Sequence, residues 1–143
     1  MNCRVFLCVM TILLAGCQDQ GTPLPDWSAP CDKWKSIGVT DYTIDQTVVC
    51  FCVNGGVPMR VVVRAGAIQS VTRRSDSTQL TPQEARLYLS VDSLFAIIRN
   101  PESQTLAVTY NPTYGNPERL DVDPQLHPVD GGVLYLTSNL RIP

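Results

Sequence analysis

From Asp41 to Val53 the chain reads DYTIDQTVVCFCV, and this run constrains the fold more than any other segment. Tyr42, Ile44, Val48, Cys50 and Cys52 fall on alternate positions, a period of two that places them on one face of a strand. The run is rich in β-branched and aromatic residues, which suit a pleated, half-buried surface. A strand with one apolar face needs neighbours, and the next residues supply them. Asn54-Gly55-Gly56 provides a turn with positive φ. Met59 to Arg64 (MRVVVR) predicts a second strand, Ala65-Gly66 a tight turn, and Ala67 to Arg74 a third strand. Together they predict an antiparallel meander.

Helical signals flank this meander. Upstream, Ser28-Ala29-Pro30 leads into Cys31 to Ile37, a short helix that Ser28 or Asp32 can cap, with Pro30 in the first turn and Gly38 at the end. Trp34 and Ile37 are expected on its buried side. Downstream of a polar loop, Thr81-Pro82-Gln83-Glu84 is a capping box opening a short helix or helical turn through Leu89. Ser90 then caps Val91 to Arg99, where Val91, Leu94, Phe95 and Ile98 form one apolar stripe, and Asn100-Pro101 stops the helix. Three more strands follow: Thr105 to Tyr110, Pro117 to Val122 and Val133 to Thr137, with loops at Asn111 to Asn116 and His127 to Gly132. The expected fold is α+β, an antiparallel sheet of two three-stranded meanders with two or three short helices packed on it.

The N-terminus reads differently. After Arg4, Val5 to Leu14 is apolar except for Thr11. Ten helical residues reach about 15 Å, roughly half the hydrocarbon thickness of a bilayer, so the run suits a signal peptide rather than a transmembrane span. Leu14-Ala15-Gly16-Cys17 resembles the lipobox of bacterial lipoproteins. The resemblance implies cleavage before Cys17 and a thioether diacylglycerol there, often with an N-acyl chain such as palmitate, anchoring the chain to a membrane. Residues 1–16 are then the leader, 17–29 a polar, Pro/Gly-rich tether, and 30–143 a single domain. Gln18, rather than Asp, after the cysteine favours the periplasmic side of the outer membrane in an organism with two membranes. The leader carries Arg4 and no acid, so processing moves the net charge from −2 to −3. That mildly acidic balance gives no footprint for nucleic acid, and Arg73-Arg74 reads as a solvated strand end.

Cys3 and Cys8 leave with the leader, so Cys31, Cys50 and Cys52 are the disulfide candidates in an oxidising compartment. On an extended strand Cys50 and Cys52 would be about 6.5 Å apart at Cα, near the upper limit for a bridge. Cys31 can pair with either, but a helix folding straight back onto the strand leaves it far from both. This favours Cys50–Cys52. A thiol site using these cysteines and His127 lacks paired metal-ligand spacing, so no metal or other cofactor is expected.

Catalytic constellations are sparse. His127, the single histidine, precedes Pro128 in a turn, and no nucleophile motif such as G-x-S-x-G accompanies it. Asp121, Asp123 and Asp130 do not match a calcium loop and read as a solvent face. Tyr110 and Tyr114 flank a loop and mark a possible binding surface. Phe51 projects opposite the two cysteines. For Tyr110 and Phe51 core packing is the simpler expectation, and for Tyr114 turn packing.

Taken in order, Cys50-Phe51-Cys52, Val61-Val62-Val63, Ala65-Gly66, Ile68 to Val71, Ser90 to Phe95, Val108 to Pro112, Gly115-Asn116-Pro117 and Leu120 to Asp123 resemble a family of bacterial lipoproteins and secreted proteins known as a domain of unknown function, number 6174. The resemblance spans roughly residues 34 to 140. It implies an exported α+β domain and brings no activity. Members often carry the C-F-C element without a third cysteine nearby, and Cys31 departs from that. The function expected is a membrane-anchored envelope lipoprotein with a non-enzymatic binding domain and an envelope protein as partner. The alternative is a redox-active or hydrolytic envelope protein using Cys50 and Cys52.

Overall fold

The computed structural model describes residues 26–102, 104–129 and 131–143. Its elements run α1 (Ser28–Ile37), β1 (Tyr42–Val49), β2 (Met59–Arg64), β3 (Ala67–Arg73), α2 (Pro82–Ala85), α3 (Val91–Arg99), β4 (Leu106–Tyr110), β5 (Pro117–Val122), a 3₁₀ turn (Pro124–Val129) and β6 (Val133–Arg141). The six strands form one sheet in the order β3-β2-β1-β6-β5-β4, with every pairing antiparallel. The α+β class and the two meanders are as expected. The first and last strands join the meanders at the centre of the sheet, where Thr47 faces Leu136 and Val48 faces Tyr135.

This order explains the helices. The chain leaves β3 at one edge of the sheet and must reach β4 at the other. It does so through α2 and α3. Val91, Leu94, Phe95 and Ile98 of α3 are all buried, as their 3.6-residue period requires. They form one core with Tyr42, Ile44 and Val48 of β1, Val61 and Val63 of β2, and Leu120 and Val122 of β5. Trp34 of α1 meets Tyr42 edge-on, with ring centroids 5.4 Å apart.

Two inward polar residues of β1, Tyr42 and Gln46, hold the link into α3, and the Tyr42 hydroxyl accepts the Val91 N–H over 2.8 Å. The Leu89 N–H donates to Gln46 Oε1 over 2.9 Å, and Gln46 Nε2 donates to the Leu89 carbonyl over 3.1 Å. The chain between α2 and α3 has no strand to pair with, so these side chains satisfy backbone groups that burial would otherwise orphan.

Some expected boundaries shift. α1 begins at Ser28, inside the expected tether, and neither Ser28 nor Asp32 caps it. Asp26 does so from outside: its Oδ1 accepts the Ser28 N–H over 3.1 Å and the Ser28 hydroxyl over 2.7 Å. Ile37 is exposed rather than buried, one position before Gly38 turns the chain away at φ 66°. The capping box at Thr81 and Glu84 forms, but its helix ends at Ala85. β6 continues to Arg141 because β1 offers Thr43 as a pairing partner there. The leader, Cys17, Gln18 and Asp130 lie outside the described residues. No helix among the described residues is long and apolar enough to cross a membrane.

Candidate functional site

The expected strand through Val53 stops at Val49, and the difference creates the most distinctive surface of the domain. Cys50 and Cys52 are joined by a disulfide with Cα atoms 5.3 Å apart. That is shorter than the ~6.5 Å of two extended residues, so the bridge bends the chain out of the sheet. Cys50 still packs half-buried against the core, and Cys52 lies beyond the end of β1. The bend is closed behind the bridge, where the Gly56 N–H donates to the Val48 carbonyl over 2.9 Å and the Gly55 N–H to the Cys52 carbonyl over 3.0 Å. Gly55 has no substitute here, because a Cβ would stand 2.5 Å from the Cys50 carbonyl oxygen.

The bend turns Phe51 outward. It is 87% exposed, and Val53 beside it is 72% exposed. This overturns the expectation of Phe51 in the core. The period of two put Phe51 opposite the cysteines, but the outcome depends on the bridge, which period alone does not show. A shallow depression lined by Cys50, Phe51, Cys52, Val53 and Gly55 runs around the bridge. The result is an apolar tip on a short, cross-linked loop. Asn54 anchors its flank: Arg73 donates to Asn54 Oδ1 over 3.1 Å.

Other candidate residues sit elsewhere. Cys31 is a free thiol buried in α1. Tyr110 closes β4 and stacks on Phe95, with centroids 6.1 Å apart and planes 11° from parallel. Burial pushes its hydroxyl up to about 12, with the Asp26 carboxylate adding to the effect. Tyr114 packs against the core, its N–H held by Asn111 Oδ1 over 2.9 Å. The β4–β5 hairpin that carries both tyrosines lies against α1, where Lys33 Nζ donates to the Pro112 carbonyl. Lys33, Pro30, Tyr110 and Gly115 border a groove of about 250 Å³. The backbone of His127 belongs to the 3₁₀ turn, and its side chain lies outside what is described.

Asp121 corrects the expectation of a solvent face. Asp121 is 3% exposed and pairs with Arg119. Asp123 has φ 51°, and its Oδ1 accepts the Thr105 N–H over 2.7 Å. Among the described residues, no group of three His, Cys, Asp or Glu side chains forms a metal site.

The sheet face opposite the helices holds a cluster that sequence reasoning missed. Asp45, 6% exposed, lies 3.0 Å from Arg60 Nε and 3.2 Å from Arg74 Nε. It also accepts from Asn139 Nδ2 over 2.9 Å. Arg74, read as a solvated strand end, is thus tied down. The available signal was an acid on the outward phase of β1, between the inward Ile44 and Gln46.

Residues 27–142 match a family described as a family of unknown function (DUF6174). No curated protein and no solved structure matches the chain.

Proposed function

This chain belongs to the family of unknown function DUF6174, and we propose that it works as a lipid-anchored envelope lipoprotein whose domain is a non-enzymatic binding module, with the Cys50–Cys52 loop as its contact tip. The observation that carries the reading is the exposure of Phe51 and Val53 on a disulfide-closed loop. A large apolar side chain held in water forgoes roughly 1.5–3 kcal/mol of burial. A rigid loop that holds two of them outward loses little conformational freedom on docking.

The placement of the loop supports a protein partner. Pro30 of α1 lies against Gly115 of the β4–β5 hairpin, at the end of the sheet where β1 begins. The Phe51 loop follows Val49, at the end where β1 finishes. Eight residues of strand separate the two ends by about 26 Å. A contact tip at the opposite end of β1 from Pro30 suits an anchor at Cys17, ahead of α1, and a partner in the envelope.

Two measurements test the reading. Labelled palmitate should enter the wild-type chain and be absent from Cys17→Ser; unlabelled wild type would refute the anchor. A photo-crosslinking residue at position 51, in cells, should give a discrete adduct that the same residue at exposed Gln69 does not give. Identical patterns at both positions would refute the contact tip. The redox alternative makes the opposite demand, that the Cys50–Cys52 bridge exchange rapidly with glutathione. C-x-C after a strand lacks the helix N-terminus that activates a thiol.

A further inference from the structure

We infer that β4 is a self-pairing edge, through which two copies of this chain join their sheets across a twofold axis. The two edges of the sheet are not equivalent. At β3 the outer side is occupied, from Val71 to Arg73, by the chain's own next segment. The Leu80 N–H donates to the Val71 carbonyl over 2.9 Å, the Arg73 N–H to the Thr78 carbonyl over 2.8 Å, and Thr72 bridges Gln79.

At β4 no described residue provides such cover. The Asp123 N–H donates to the Thr105 carbonyl over 2.7 Å, so Thr105 is a hydrogen-bonded position facing β5. Alternation through the Ala107↔Asp121 and Thr109↔Arg119 pairs then turns the N–H and C=O groups of Leu106 and Val108 outward. Among the described residues nothing bonds to these outward groups.

Soluble proteins blunt such an edge with lysine, proline or an inward-pointing charge. Leu106-Ala107-Val108-Thr109-Tyr110 has none of these. Its backbone is complementary to an extended strand, and its side chains are complementary to themselves. In an antiparallel self-pair centred on Val108, Val108 meets Val108, Leu106 meets Tyr110, and Ala107 meets Thr109. No like charges meet, and the half-buried Val108 and Tyr110 gain cover from the copy. Because β3 is occupied from Val71 to Arg73, β4 cannot pair along its full length with β3 of a further copy, so the assembly closes at two rather than growing into a filament.

The intact chain in detergent, measured by analytical ultracentrifugation with the detergent density-matched, should show twice the chain mass. Val108→Pro removes an outward N–H and leaves the β5 pairing intact, as proline on an edge strand can. Ala107→Lys places a charge at an exposed position on the same edge. Both should halve the mass while leaving the thermal unfolding transition within a few degrees of wild type. If Val108→Pro fails to fold, Ala107→Lys alone decides. A wild-type chain that is monomeric up to ~100 µM, or a folded Ala107→Lys that remains dimeric, would overturn the proposal.

Discussion

The Tyr42 hydroxyl accepts a hydrogen bond from the Val91 N–H over 2.8 Å, inside the core. Tyr42 opens β1 and Val91 opens α3, so a single side chain ties the centre of the sheet to the first turn of the helix that crosses it. The first N–H groups of a helix have no partner within the helix, and here a strand residue supplies one. Removing that acceptor leaves a buried donor unsatisfied. Tyr42→Phe should therefore lower unfolding free energy by about 1–3 kcal/mol, read from the urea midpoint at unchanged slope. A midpoint equal to wild type would show that the bond contributes nothing net.

Gln46 makes the larger commitment, since its amide satisfies both the N–H and the C=O of Leu89. Gln46→Leu keeps similar volume but orphans two backbone groups. The expected loss is greater than that of Tyr42→Phe, about 2–4 kcal/mol. Amide exchange should rise first at residues 89–91, and uniform acceleration across the domain would argue against a local clamp.

Alkaline pH should unfold the domain before it affects isolated peptide bonds. Burial pushes the Tyr42 hydroxyl up to about 12, with the Asp92 carboxylate adding to it and the Val91 N–H opposing it. Tyr110 also lies at about 12, and burial raises Tyr88 and Tyr135. A tyrosine whose folded pKa exceeds its unfolded value, about 10, holds its proton more tightly when folded. Its contribution is complete below pH ~10 and is lost as pH rises toward 12. The denaturation midpoint should be flat from pH 8 to 9.5 and fall steeply above 10. A Tyr42→Phe chain should show a shallower fall, and an identical slope would exclude Tyr42 as a contributor.

The Cys50–Cys52 bridge closes so short a loop that its effect on the unfolded chain is small, about 1.5 kcal/mol in the chain-entropy account. Replacing both cysteines with serine should lower the melting temperature by only a few degrees. The local effect should be larger, because the bend that holds Phe51 outward depends on the bridge. Exchange at residues 50–57 should accelerate markedly while α3 stays protected. Global unfolding of the double variant would show that the bridge supports the fold rather than the loop.

Gly115 occupies φ +80°, and a Cβ there would collide with the Pro30 carbonyl oxygen. Gly115→Ala combines backbone strain with a backbone clash between the hairpin and α1, at an expected cost above about 1 kcal/mol. Gly66, also at positive φ but facing open space, is the control. Gly66→Ala should cost about 1 kcal/mol or less, and equal losses at the two sites would deny the close approach.

Local chemistry made much of this fold legible. The stripe of Val91, Leu94, Phe95 and Ile98, the capping box at Thr81 and Glu84, and the alternation of Met59 to Arg64 each rest on neighbours within a few residues. Period and propensity read such features directly. Ser28 shows where that stops. Its hydroxyl could cap a helix, yet Asp26 reaches past it and does the capping, a choice between two local acceptors that composition does not rank. Cys50 and Cys52 show it again. Spacing allowed the bridge, but only the bridge's geometry ended β1 and turned Phe51 from an expected core residue into an exposed tip.

By itself, then, the sequence determined the element order, the apolar faces, the α+β class and the set of cysteines able to pair. The tertiary structure decided the rest: the pairing of β1 with β6, the burial of Asp45 among Arg60, Arg74 and Asn139, and the contrast between a β3 edge covered from Val71 to Arg73 and a β4 edge that no described residue covers. The reason is physical. Asp45 and Asn139 are 94 residues apart, and contacts at that separation form only when the loop-closure entropy between them is recovered by packing of the whole sheet. No short window of sequence carries that balance.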